Sequence, residues 1–291
     1  MDAKGGPSIF EFSAKFCNKL DNTKNWAFSP TAVAEISMAA MYLGSHGTTD
    51  ASDSKVIQIP NGNNIPSSYL SLAPKLKSTK GITIYQANKI YLTKNLYKLS
   101  LKQKKVVNKI FNVNAENINF CDSYGSAKCI NEWVKKKTKN NINQFLTCNH
   151  LYVDTDLVLI SGIYFKGVWQ MKFDPEDTEE AIFYLNGDEI INVFLMYRKE
   201  RYRFKDSKEL DAQLVLIPFK TEEAHALVVL PKRVTGLNKV LERLADGYDL
   251  MAEVDQMSDE ELIVRIPRFK IECEINFTEV LHKVRIKLNV L

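Results

Sequence analysis

Cysteine is scarce and shows no pattern. Cys17, Cys121, Cys129, Cys148 and Cys273 are the only five in 291 residues, and no two form a CxxC pair. An odd, scattered set implies neither a disulfide framework nor a zinc site, so all five are expected as reduced, structural thiols. Long apolar runs are missing too. A membrane span needs roughly 18 such residues, and the longest stretch, from Leu157 to Phe165, is strand-sized. No membrane partner is implied. The opening Met1-Asp-Ala-Lys-Gly-Gly-Pro-Ser8 has no apolar core of a secretory leader. That points to the cytoplasm. The alternative is a mature extracellular chain, and only there would the sequon Asn276-Phe277-Thr278 matter.

Charge of one sign is lacking as well. A formal net charge of +4 is too slight to imply nucleic acid. No HExxH, GxSxG or Walker pattern occurs, and the four histidines, 46, 150, 225 and 282, are scattered. No enzyme, cofactor or metal site is therefore expected. Asp154, Asp156, Asp174, Glu176 and Asp177 read as turn and cap residues rather than metal ligands. There is no repeat with the period of a solenoid and no low-complexity linker. The loop-rich gap from Pro60 to Pro66 is too short to separate domains. Residues 1–291 thus read as a single domain.

What is present is ordinary globular texture, with 45% hydrophobic and 25% charged residues, so the chain is not a disordered one. Irregularly mixed helical and strand patterns predict an α+β body. Ile9, Phe12, Phe16 and Leu20 recur at helical spacing and predict a helix over 8–20. A short strand is expected at 25–29. Pro30 then opens a buried helix over 31–43, closed by Gly44 and Gly47. The β-branched run from Ile82 to Leu92 predicts a strand. A basic helix is expected at 100–111, with Val106, Val107, Ile110 and Phe111 inward, and a longer helix at 125–146. Leu157 to Phe165, apolar at every other position and between, predicts a central strand covered on both faces. Strands are expected at 190–196, 202–204, 213–219, 225–230 and 261–266, with 268–275 continuing the last after Pro267. Short helices are expected at 237–244 and 247–254.

The order of these blocks resembles the serpin family. Asn25-Trp-Ala-Phe-Ser-Pro30, the helix ending Met41-Tyr-Leu-Gly44, and Gly47-Thr-Thr49 resemble its first conserved block. Ala87-Asn-Lys-Ile-Tyr91 resembles its second sheet strand, and Ile130-Asn-Glu-Trp-Val134 with Thr138 and Ile142 the helix across the main sheet. Leu157-Val-Leu-Ile-Ser-Gly-Ile-Tyr-Phe-Lys-Gly-Val-Trp169 is similar to the central strand and the tryptophan beyond it, and Pro267-Arg-Phe-Lys270 to a late strand block. The closest likeness is to the signal-less intracellular branch. The resemblance implies an α+β serpin-like fold with a large central mixed β-sheet, further sheets and about eight to nine helices.

The ending departs from the pattern. Val280-Leu-His-Lys283 with Val284, Ile286 and Leu288 resembles the strand leading into the reactive loop, but Leu291 follows where an acidic-glycine hinge is usual. The stretch before it also lacks a helix. A second alignment, less preferred, makes 277–288 the start of that helix. The fold is thus expected to be incomplete at its C-terminus, without hinge, reactive loop or last strands.

The resemblance implies an inhibitor of serine or cysteine proteases that works when a cleaved loop inserts into the main sheet as an added strand. The implied sheet-opening region is Ser29, Pro30, Ser161, Trp169 and His282. Ala32 and Ser161 depart from it, standing where a second Ser and an Asn that bonds the histidine are usual. No scissile position can be named, so if these residues are the whole product, covalent trapping is not expected. A truncated, non-inhibitory binding protein is the alternative. Lys98, Lys102, Lys105 and Lys109 on one helix suggest a glycosaminoglycan or other polyanion, against the plainer reading of a solvated basic face.

Overall fold

The computed structural model describes residues 9–20, 25–29, 77–94, 101, 104, 105, 107, 108, 113–185, 189–221 and 224–275. Their helices and strands run in the order α1 (Ile9–Cys17), β1 (Ile82–Thr93), β2 (Asn114–Ile118), α2 (Ser123–Lys137), β3 (Leu157–Gly167), β4 (Glu179–Tyr184), β5 (Ile190–Ser207), β6 (Ala212–Pro218), β7 (His225–Pro231), α3 (Leu237–Ala245), α4 (Leu250–Asp255) and β8 (Ser258–Pro267). Two sheets result. One has the order β2-β1-β3, with β1 parallel to β2 and antiparallel to β3. The other runs β4-β5-β6-β7, and β8 pairs with β5.

Helix α2 shows how local chemistry sets a boundary. The Asp122 carboxylate accepts from the Gly125 amide at 2.9 Å and starts the helix. Ala127, Ile130 and Val134 recur at helical spacing and meet Ala87, Tyr91 and Ile160 in the core between helix and sheet. The helix ends at Lys137, not at 146 as the sequence predicts. Lys139 and Asn140 turn left-handed, with φ of 50° and 64°, and the Asn140 amide donates back to the Lys135 carbonyl at 2.8 Å. The chain then returns along the helix. The Asn131 side chain pins it, accepting from the Phe145 and Leu146 amides and donating to the Leu146 carbonyl at 2.8–3.0 Å.

The second sheet has two core clusters. Leu210, Ala212 and Leu214 pack with Val240, Leu250 and Val254 of α3 and α4. Tyr202, Ile217, Val264 and Ile266 form the other. Helix α1 packs against α3.

Several expectations are corrected. The strands foreseen at 190–196 and 202–204 are one strand of 18 residues, because β8 pairs along its middle from Leu195 to Phe204. β4 was not foreseen. Residues 25–29 and 268–275 carry no strand ladder, although the Arg268 amide still donates to the Phe194 carbonyl at 2.7 Å. Leu157 to Phe165 is not buried on both faces: of its nine residues only Ile160 and Gly162 are buried. The helix expected at 31–43 lies outside the described residues. That at 100–111 is described in part, helical where seen, with Val107 fully buried.

Candidate functional site at the edge and end of β3

β3 pairs with β1 in unbroken antiparallel register, from Leu92↔Leu157 to Ile82↔Gly167. Among the described residues its other edge has no strand partner. The amides and carbonyls of a strand edge can serve as a template for one more strand. The returning segment after α2 covers one face of β3. A side chain at Gly162 would meet Phe145 at 3.3 Å and Ile142 at 3.5 Å, so the glycine admits this cover.

Midway along, Asn88 and Ser161 face each other in register. The Ser161 hydroxyl donates to the Asn88 side-chain oxygen at 3.2 Å. Asn88 is buried, so the pair is a polar bolt between two strands. An amide oxygen is not a base able to take the serine proton. Nearby, Tyr85 and Tyr164 stack across the same strands with ring centroids 5.8 Å apart, and Lys139 sits 4.9 Å over the Tyr85 ring. Burial pushes the Tyr91 phenol well above its ordinary value, and among the described residues its hydroxyl has no hydrogen-bond partner.

The far end of β3 is a joint to the second sheet. Trp169 forms an isolated bridge with Phe219, just past β6. Their rings stack at 4.8 Å and 8°, and Phe165 and Phe173 add edge contacts to the pair. Backbone bonds lock the joint: Val168 amide to Gly81 carbonyl at 2.8 Å, Lys220 amide to Val168 carbonyl at 2.7 Å, and Gln170 amide to Pro218 carbonyl at 2.9 Å. Gly81 is required here. Its φ is +96°, and a Cβ would stand 2.8 Å from the Lys220 carbonyl oxygen. At Gly167 a Cβ would overlap the Phe219 ring.

Of the residues expected from the sequence, Ser161 and Trp169 lie on β3 and its extension. Ser29 is buried elsewhere, next to Phe28, whose ring packs on Phe16 of α1. Pro30 and His282 lie outside the described residues, as do Lys98, Lys102 and Lys109; Lys105 is exposed. The sequence reading missed Asn88, Phe219 and the glycines at 81 and 167. An asparagine inside a strand, and glycines just before β1 and at the end of β3, which antiparallel pairing brings to one end of the pair, were the available signals.

The described residues hold no group of three histidine, cysteine or acidic side chains placed to bind a metal ion. Their helices include none long and apolar enough to cross a membrane. The arrangement offers main-chain hydrogen bonding along an edge, coupled to a second sheet through an aromatic joint.

Comparison with known proteins gives one family. The matching family model is Serpin (serine protease inhibitor), over residues 8–288. The chain is 34% identical to Antichymotrypsin-2 of Bombyx mori over 249 residues, 86% of this chain and 66% of that protein. It is 34% identical to Antitrypsin of Bombyx mori over 86% of this chain and 63% of the relative. It therefore spans less than two thirds of the length of these relatives. Among solved structures, Serpin48 of Tenebrio molitor superposes with a TM-score of 0.81 at 23% identity, over 96% of this chain and 76% of that one, which shows a shared α+β fold. Block order, sheet topology and family match agree: the chain belongs to the serpin family.

Proposed function

We propose that these residues form the strand-accepting body of an endopeptidase inhibitor that arrests its target by inserting a cleaved loop beside β3. The inserting strand comes from a loop outside the described residues. The observation that carries this reading is the outer edge of β3, long, regular and unpaired among the described residues. An extended segment laid there would gain a ladder of main-chain hydrogen bonds. Two relatives bear names directed against chymotrypsin and trypsin, which favours serine-class targets, with cysteine proteases as the further class. The Ser161–Asn88 bolt sets β3 on β1, so opening is directed to the other edge. The five free thiols suit a reducing compartment, and the cytoplasm is the proposed location.

The test is incubation of a full-length protein that carries this loop with chymotrypsin, trypsin and papain, followed by denaturing electrophoresis. An SDS-stable adduct with one of the serine proteases is the expected result. Full retention of activity in all three arms, with no adduct, overturns the reading.

A further inference from the structure

An open surface hollow of about 360 Å3 lies on the far side of β1 from β3, lined by Lys89 of β1, Asn114 and Glu116 of β2, Trp133 and Lys137 of α2, and Lys104. Three lysines and one glutamate line it. Glu116 is committed to one of them: its carboxylate is 2.6 Å from the Lys89 ammonium. Lys89 is also held by two rings, with its nitrogen 4.5 Å from the centre of Tyr91 and 4.8 Å from that of Trp133. Its side chain is only 7% exposed. A buried ammonium fixed by a carboxylate and two aromatic faces is a built, rigid floor.

Lys104 and Lys137 are different. Among the described residues neither has an ion-pair partner. Two uncompensated positive charges lining one concavity repel each other, and an anion between them relieves that repulsion. Trp133 and Lys137 are one helical turn apart and share a face of α2, so an aromatic wall and a cation are presented together. The volume is at the small end of the range for small-molecule sites. It suits one ring system and one charged group.

We infer that this hollow binds a small organic anion with a flat ring, its charge between Lys104 and Lys137 and its ring against Trp133. The site is separate from the β3 edge and does not depend on strand insertion.

The test is isothermal calorimetry of the 291-residue chain with 1-naphthoate as the probe and uncharged 1-naphthamide as its control. Naphthoate is expected to bind, and the amide to bind far more weakly. Lys104→Ala and Lys137→Ala should each weaken naphthoate by about tenfold, the loss of one charge-assisted contact, with circular dichroism unchanged. Lys105→Ala removes a neighbouring exposed charge outside the hollow and should leave the affinity as it was. Equal binding of acid and amide, no binding of either, or equal losses at Lys105 and Lys137 would each overturn the assignment.

Discussion

At the scale of single residues, Glu253 shows how a buried charge is kept. Its side chain is 8% exposed on α4, facing β5. Ser207 donates to it at 2.8 Å, Tyr248 donates to the same oxygen, and the Lys205 ammonium stands 2.9 Å from the other. Burial alone would push the carboxyl up, but bonds from Lys205, Tyr248 and Ser207 outweigh it and hold the group below its usual value. Burial and the bond to Glu253 push Tyr248 up to about 12. A carboxyl whose folded value lies below its unfolded one, about 4.3, stabilises the fold fully above that pH. The contribution is lost as pH falls through the lower, folded value. Urea midpoints of the native protein should thus drop steeply below about pH 4.3. Glu253→Gln should show a shallower drop and cost about 1 kcal/mol at pH 7, since charge-assisted bonds from Ser207, Tyr248 and the partly exposed Lys205 become neutral ones. Parallel acid profiles for the two proteins would contradict this.

Gly81 tests the joint between the sheets. Gly81→Ala forces a left-handed alanine against the Lys220 carbonyl, and should destabilise by about 1–3 kcal/mol. Because the Gly81 carbonyl accepts from Val168, beside Trp169, the Trp169 emission, read in a background with Trp26→Phe and Trp133→Phe, should also shift. An unchanged spectrum would mean that the joint does not hold the indole.

At the scale of elements, α2 and its returning segment carry the cover of the first sheet. Ile130 is fully buried among Ala87, Tyr91 and Ile160. Ile130→Ala should cost about 3 kcal/mol in denaturant unfolding by leaving a cavity; a loss under about 1 kcal/mol would show that the cluster collapses around the gap. The same element marks what periodicity can and cannot reveal. The apolar spacing of Ile130 and Val134 is plain in the sequence, as is the β-branched content of β1, β6 and β7. The helix end is not, because Ile142, Phe145 and Leu146 continue an apolar texture while the left-handed turn at Lys139 and Asn140 takes the chain back on itself. β5 reads as a loop in its middle, Arg198 to Arg201, because its charges find partners that only pairing supplies: Lys199 meets Glu261 of β8 at 3.0 Å. Likewise Ser161 and Trp169 could be singled out by resemblance. Their partners Asn88 and Phe219 are remote in the chain: the asparagine stands out in its strand, but no local pattern announces either pairing.

At the scale of the whole molecule, two sheets meet at one aromatic joint, and one of them ends in an unpaired edge among the described residues. The account rests on that edge of β3 accepting a further strand. Amide hydrogen exchange tests this most directly, with and without an acetylated peptide of alternating threonine and alanine about 11 residues long, enough to match β3 at roughly 3.3 Å per residue. Bound peptide should slow exchange along residues 157–167 while leaving β6 and β7 at their own rates. Unchanged exchange across β3 at saturating peptide would contradict the account.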